Sequence, residues 1–488
     1  MDRNYYVRRF DSSGRAVDYE PFNRPYSPDS FLIYKEGDWY LAKDGKTGKL
    51  IAEDTLLSAV LAKIAQMVDS SRGAVLSFVR GEYALLARVD FPAGVYLRGN
   101  GSIIDATQVD DILFAWNANS GGALAQNMVS GMEGFVFKGI ASGTAPANPN
   151  SQVAYFENIP RGVVVRDVTF YGFAKGVEIA GASFDAHVGN IRAYYSQNLV
   201  TLTTLVVDSV KYRPNGASVV DVELSNSWSN PLEGTGIHID ADIEGVHVSH
   251  AWLEAISTGI GDNGKYTTIT ANMISATQAG ILSNGTCVRY VANKFALCDG
   301  TVGINLATEY TCVVIANNNF RAYGVDEAYA IKNTSTSGVY ATIEGNLAEF
   351  TSIGLSASFY YGRLENGVIS SNRITHTGEN DLYLIHLTGT TYSTVVGNVL
   401  STPKYGIVSG YRTLIQGNRV NGGAVVDYNI DEATSYCDQH MYTTLPDTSD
   451  ATVSQLFLNR PIHYYDSATG TYYIAVWDGT AWRKTQLT

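Results

Sequence analysis

At 488 residues with 45% apolar side chains the chain is long enough to bury a large core, and no apolar run approaches the 18 or so residues of a membrane-spanning helix. A net charge of −13 excludes recognition of nucleic acid or of an anionic bilayer through a broad basic face, so an acidic polymer would need a local basic pocket. Abundant Tyr (32) and Gly (47), with sparse Pro (12), favour strands and turns over helices, and an all-β chain is expected.

Residues 1–30 are polar, carry Pro21, Pro25 and Pro28, show no periodicity and read as an arm. Their start, Met1-Asp2-Arg3-Asn4-Tyr5-Tyr6, lacks the apolar stretch of a secretory signal, so export by the usual route is not expected. Residues 31–71 divide in two. Leu32-Ile33-Tyr34, Trp39-Tyr40-Leu41 and Leu50-Ile51, separated by Gly37-Asp38 and Asp44-Gly45, predict a small β-meander. Asp54 then stands where it can cap a helix over 55–69 whose Leu57, Val60, Leu61, Ile64 and Val68 share one face. Such a helix can plug the open end of a solenoid, where a first coil exposes core and strand edges.

From Gly73 a motif appears. Gly73-Ala74-Val75-Leu76-Ser77-Phe78, Gly81-Glu82-Tyr83 and Val89-Asp90-Phe91-Pro92-Ala93-Gly94-Val95-Tyr96-Leu97-Arg98-Gly99-Asn100-Gly101 resemble the first-coil segment of the pectin-lyase-like superfamily, except that Arg80 stands where that family commonly has Pro. The resemblance covers about residues 31–433 and implies a right-handed parallel β-helix over 72–433 and a carbohydrate polymer as substrate class. The family's Asn-Thr-Asp, His-Gly and Arg-Ile-Lys signatures are absent, and so is its calcium-Asp and Arg-x-Pro-x-x-Arg set, so the resemblance implies no particular reaction. Gly99 to Gly101 is read as a turn, because no βαβ unit follows it.

The residues themselves give the same architecture. Asn272, Asn293, Asn318, Asn346, Asn372, Asn398 and Asn418 recur at gaps of 21, 25, 28, 26, 26 and 20 residues. Three residues before each stands Ile269, Tyr290, Ile315, Ile343, Ile369, Val395 or Ile415, and two after each stands Ile274, Phe295, Phe320, Ala348, Ile374, Leu400 or Val420. A period of this length built from short strands is the mark of a solenoid whose repeats bury their faces only by stacking. Asn is expected to bend the chain, since it tolerates the left-handed backbone region, and to bond along a stack of like amides. A further strand per coil is marked by Gly280-Ile281, Gly303-Ile304, Ala330-Ile331, Gly354-Leu355, Leu384-Ile385, Gly406-Ile407 and Val425-Val426. Upstream, Val248-Ala251-Leu253 with Gly259-Ile260, and Arg161-Asp167-Phe170 with Gly176-Val177, carry the pattern with other residues at the bend. Twelve or so coils at the strand spacing make a rod of about 60 Å.

One window concentrates titratable groups: His238, Asp240, Asp242, Glu244, His247, His250 and Glu254, with Trp252 among them. Glycoside hydrolysis needs two carboxyls, one protonated and one ionised. Strand alternation predicts that His238, Asp240 and Asp242 share an outward face, where crowded carboxylates raise one another's pKa. Asp240, Asp242 and Glu254 are therefore the candidate acid and base, and His247 an orienting group. Trp252 is the candidate sugar platform, with His238 and His250 beside it. An Asp-x-Asp on an exposed strand also reads as solvated surface or a cation site, and Trp252 as a subunit contact. Asp185, His187, Asp208, Asp221 and Glu223 form a weaker upstream set. Arg321 and Glu349 read as a surface ion pair. No cofactor or metal is indicated; the cysteines have no CxxC spacing, and Cys287 and Cys312, each six residues before a ladder Asn, are expected side by side as packed thiols or as a disulfide.

Residues 434–488 change character. Arg460-Pro461-Ile462, Tyr464-Tyr465-Asp466, Gly470, Tyr472-Tyr473, Trp477-Asp478-Gly479 and Trp482 predict β-hairpins and are similar to carboxy-terminal hairpins of bacteriophage tail-fibre and tailspike proteins. An end cap for the last coil is the alternative reading. The resemblance implies a homotrimer, a virion or extracellular surface location with the arm as attachment point, and a glycoside hydrolase acting on a polysaccharide. A polysaccharide lyase and a non-catalytic glycan-binding fibre or adhesin are the alternatives.

Overall fold

The computed structural model describes residues 9–10, 16–17, 30–68, 73–118, 129–142, 145–160, 162–229, 231–307, 312–336, 338–377, 383–389, 392–401, 405–409, 412–421, 426–430 and most of 432–487. These residues form an all-β parallel solenoid of about 13 turns, with few helices. Each coil lays down three short strands, and each strand pairs in parallel with its equivalents one coil away, so the solenoid has three faces. Face A includes His247–Ser249, Thr268–Thr270, Val288–Val291 and Cys312–Ala316. Face B, beyond the bend, includes Lys294–Leu297, Asn319–Tyr323 and Leu347–Thr351. Face C includes Lys175–Ala180, Leu232–Ile239, Thr301–Leu306, Glu327–Asn333 and Ser356–Gly362. Trp252–Asp262 and Met273–Ser283 each run from B into C.

The core follows from in-register stacking. On face A, Ile269 pairs with Tyr290, Tyr290 with Ile315 and Ile315 with Ile343, all fully buried. On face B the rings of Phe295 and Phe320 stack at 4.8 Å and 7°. Each such side chain contributes about 1.5–3 kcal/mol by leaving water. The rings also explain the glycines that open face C: a Cβ on Gly280 or Gly303 would lie 2.6 or 2.7 Å from the Phe295 or Phe320 ring.

The seven asparagines stack, with a different division of labour from the one expected. The left-handed residue at the bend is the one before each Asn: Ala271, Ala292, Asn317, Gly345, Ser371, Gly397 and Gly417, with φ between 56° and 64°. The ladder Asn points inward and is at most 1% exposed. Asn318 is representative: its backbone N and its Nδ2 both donate to Asn346 Oδ1, at 2.9 and 3.0 Å, and Nδ2 also donates to Tyr290 O at 2.9 Å. The same bond joins Asn346 to Asn372 at 2.9 Å. A polar residue is thus buried at no hydrogen-bond deficit. Ala251 stands where the ladder would continue and gives its N–H to Asn272 Oδ1 at 2.8 Å.

Two other details differ from expectation. Leu355 is exposed, and the face C position assigned to it belongs to Tyr360, paired between Ile331 and Ile385. The helix runs over Leu57–Met67 and buries Leu57, Val60, Leu61 and Ile64, but Asp54 bonds the N–H of Leu56, ahead of the helix, and does not cap it. Cys287 and Cys312 are side by side, exposed and unbonded. Arg161 and Val425 lie outside the described residues, as does nearly all of the arm. Residues 441–486 include a four-stranded sheet formed by Met441–Tyr442, Pro461–Asp466, Thr471–Trp477 and Trp482–Gln486.

Candidate functional site

The window from His238 to Glu254 is wrapped around the solenoid, so its side chains do not line one groove. His238 is in the face C strand, between Thr201 and Gly261. Asp240 and Asp242 follow in the turn from C to A and share no strand face with it, which corrects the expected alternation: the strand ends at Ile239. Asp240 is a turn residue, accepting from Thr204 N at 3.0 Å and from Ala241 N at 2.9 Å. Asp242, itself left-handed at φ 66°, is gripped by Lys265 at 2.7 Å and by Lys211 at 3.0 Å. The hydrogen bonds from Lys265 and Lys211 hold its carboxyl down at about 2, opposite to the expected rise, so Asp242 is ionised and keeps no proton at neutral pH. Lys211 comes from the hairpin formed by Leu205–Val207 and Val210–Tyr212, a register that the sequence pattern left open.

His247 is half-buried on face A between Ser218 and Thr268, and burial, then the nearby His250, push its imidazole pKa down. His250 is the left-handed bend residue, exposed, 3.9 Å from Asp221. The bend turns His247 away from Trp252 and Glu254, which lie on face B. Of the second set, His187 is on face A bonded to Ser218 Oγ at 2.9 Å, Asp208 sits at the hairpin tip, and only Glu223 reaches face B, where it pairs with Trp252.

What the structure does bring together is a ledge where face B turns into face C. Glu254 accepts from the indole N–H of Trp228 at 2.7 Å and from that of Trp252 at 3.4 Å, with Ser225 Oγ at 3.5 Å. The two indoles are 41% and 48% exposed, so their N–H groups are tied to one carboxylate while much of each ring remains open to solvent. Local structure explains the arrangement. Strand alternation puts Trp252 and Glu254 outward on either side of buried Leu253, and the chain turns at once through left-handed Ala255. Trp228 arrives on the corner loop of the preceding coil, anchored by Asn226. Its Nδ2 donates to Ser196 O and its Oδ1 accepts from Ser196 N, each at 3.0 Å. The ledge continues along the same outward column: Ser225 pairs with Tyr194, and Tyr194 with Tyr171, whose rings stack at 5.0 Å and 13°. Three coil steps from Tyr171 to Glu254 span about 14 Å. Glu223 and Arg192 border it as an ion pair at 3.7 Å.

No family model matches the chain, and no curated protein matches it. Solved structures do. A double mutant of the tailspike protein of E. coli bacteriophage HK620, in complex with pentasaccharide, is similar at 12% identity over 87% of this chain and 84% of that one, with a TM-score of 0.57. A single mutant of the same tailspike in complex with pentasaccharide aligns over the same shares at 10% identity and a TM-score of 0.55. The fold is that of phage tailspike β-solenoids. At this identity the likeness speaks for the tailspike fold alone.

Two features escaped sequence reasoning. Trp228, Tyr194 and Tyr171 gave no signal of their own; only the register Tyr194, Ser225, Glu254 carries them to the ledge, and the coils from 190 to 245 lacked the Asn marker that sets register. The second is Asp262, wholly buried, bonded to Thr267 Oγ1 at 2.5 Å and to Tyr290 OH at 2.9 Å. Burial pushes its carboxyl pKa up, but its inward position excludes it from chemistry on a polymer. Among the described residues no group of three metal-ligating side chains converges, and no helix is long and apolar enough to cross a membrane.

Proposed function

We propose that the chain is a tailspike-like glycan-binding or glycan-degrading protein that grips a polysaccharide along the face B ledge. The observation that carries this reading is Glu254 held by the N–H groups of two half-exposed tryptophans. Indole faces present flat apolar surface to the C–H face of a sugar ring, and a carboxylate oriented between them accepts sugar hydroxyls. The tailspike that shares the fold is described as complexed with a pentasaccharide, which supports the polymer class.

Within this reading hydrolysis is the preferred reaction. Glu223 and Glu254 sit on adjacent coils two residues apart along the strand, which places their Cα atoms about 8 Å apart from the coil spacing and the rise per residue. Hydrolysis needs two carboxyls flanking the scissile bond, and these two come from neighbouring coils of the same face. Glu254 and Trp252 are retained from the sequence-predicted site; Asp242 has no role in it. The further parts of the reading are a right-handed coil, the helix Leu57–Met67 as its cap, and a parallel homotrimer joined through the carboxy-terminal sheet, whose outward side carries Pro461, His463, Tyr465 and Tyr472. The arm serves virion attachment. The test is a panel of capsular and O-antigen polysaccharides, scored for binding by affinity electrophoresis and for reducing-end release. Trp252→Ala and Trp228→Ala are expected to weaken binding at least tenfold on the glycan that the parent binds. Glu254→Gln is expected to abolish reducing-end release while binding persists. Full binding by both Trp variants would place the glycan elsewhere, and ultraviolet-absorbing products would make the protein a lyase.

A further inference from the structure

Face B around the ledge is bordered by carboxylates, whereas one stretch of face C is free of them in its outward column. Between Thr201 and Val408 the outward column of face C runs Thr201, His238, Gly261, Leu282, Asn305, Lys332, Tyr361, His386, Val408, each paired with the next; this stretch contains no carboxylate in a chain of net charge −13, the column's nearest acid being Glu178, beyond Thr201. Lys332 and Asn305 are neighbours in that column. Lys332 Nζ stands 4.3 Å from the ring centre of Tyr329 and 5.8 Å from that of Tyr361, and forms no ion pair among the described residues. Tyr361 is held edge-on by His386, with ring centres at 5.0 Å, and Tyr329 OH is tied to Ser356 Oγ at 3.3 Å. Asn305 Oδ1 accepts from Thr334 Oγ1 at 2.9 Å. That bond fixes the amide so that its NH₂ is the group left for a ligand, and among the described residues nothing accepts from it.

We infer that Lys332 and Asn305, framed by Tyr329 and Tyr361, form a second glycan subsite that takes the carboxylate of an acidic sugar residue. The ammonium supplies charge and the amide supplies direction, on adjacent coils about 4.8 Å apart, so one carboxylate can bridge them. The tyrosine rings do two things. They hold the ammonium in place without neutralising it, as a carboxylate partner would, and they offer apolar surface to a sugar ring beside the charge. The long-range repulsion of a −13 chain for a polyanion is overcome here because the site is local and the nearest acid of its column, Glu178, lies six coil steps from Lys332, beyond the screening length. A simple anion satisfies only the first of these two features, which is why an acidic sugar fits better than a free phosphate.

The test uses the full chain at pH 7 with trigalacturonate as probe, maltotriose as its neutral counterpart and inorganic phosphate as competitor, read by saturation-transfer NMR and titration calorimetry. Trigalacturonate is expected to bind and maltotriose to bind at least tenfold more weakly at this subsite. Lys332→Met is expected to weaken trigalacturonate at least tenfold and Asn305→Asp to abolish it, while Trp252→Ala on face B leaves it unchanged. Thermal melts check that each variant is folded, and Lys332→Arg, which keeps the charge, should retain most of the affinity. The inference is overturned if the parent protein shows no saturation transfer from trigalacturonate, if Lys332→Met binds as well as the parent, or if phosphate displaces the probe at equal concentration. Because the two sites lie on different faces, loss of trigalacturonate binding on Trp252→Ala would put the probe on face B and likewise overturn the inference, whereas loss of only the glycan bound by face B speaks to the face B reading.

Discussion

Replacing Asn346 with Ala tests whether the asparagine ladder is an energetic element or a by-product of coil packing. Asn346 Oδ1 accepts from Asn318 N at 2.9 Å and from Asn318 Nδ2 at 3.0 Å, and all three groups are buried. Truncation leaves the backbone N–H of Asn318 and one of its two Nδ2 N–H groups without an acceptor in a site closed to water, the other Nδ2 N–H keeping Tyr290 O, and Ile315 O loses its bond from Asn346 Nδ2 at 3.0 Å. A buried donor left unmet costs about 1–3 kcal/mol, so the two donors together cost roughly 4 kcal/mol. Asn272 is the internal control: among the described residues its Oδ1 accepts only the N–H of Ala251, so Asn272→Ala orphans one donor and costs about half as much. The readout is hydrogen exchange of the Asn318 amide, backed by unfolding midpoints in guanidinium. At about 1.4 kcal/mol per tenfold, exchange at Asn318 is expected to accelerate by roughly two to three orders of magnitude in Asn346→Ala. If Asn318 exchanges at the parent rate, or if Asn272→Ala is as damaging as Asn346→Ala, the hydrogen-bond accounting is refuted and the ladder is merely packed.

His376 is 4% exposed, neither of its ring nitrogens is bonded among the described residues, and burial pushes its pKa down from 6.5 to about 4. The unfolded chain therefore binds the proton first. The stability this neutral ring contributes is complete above about pH 6.5 and is lost as pH falls toward 4, by roughly 3 kcal/mol. His376→Phe, matching Phe350 on the adjacent strand, should flatten the dependence of the urea midpoint between pH 7 and pH 4.5; an unchanged slope would contradict this. Ala292→Gly relieves a Cβ held at φ 57° and is expected to stabilise by about 1 kcal/mol, measured as a slower unfolding rate. Of the four thiols, exposed Cys287 and Cys312 should react with Ellman's reagent in the native protein, whereas buried Cys437 should react only after denaturation.

The sequence by itself determined the solenoid, because its repeat is a matter of local spacing. Ile, Asn and Phe at fixed offsets bury, bond and bury again in every coil, and stacking identical positions is the only way to bury them all. It likewise marked Trp252 and Glu254 as outward, since alternation about buried Leu253 needs no long-range information. Which neighbours they meet was decided only by the tertiary structure. Corner loops differ in length from coil to coil, so a window that is continuous in sequence, His238 to Glu254, is spread over three faces, while Trp228, 26 residues away, closes on Glu254. The same geometry took Asp242 out of contention. Its fate depends on Lys211 and Lys265, brought to it from the neighbouring coils on either side, and no spacing rule along the chain carries that charge balance.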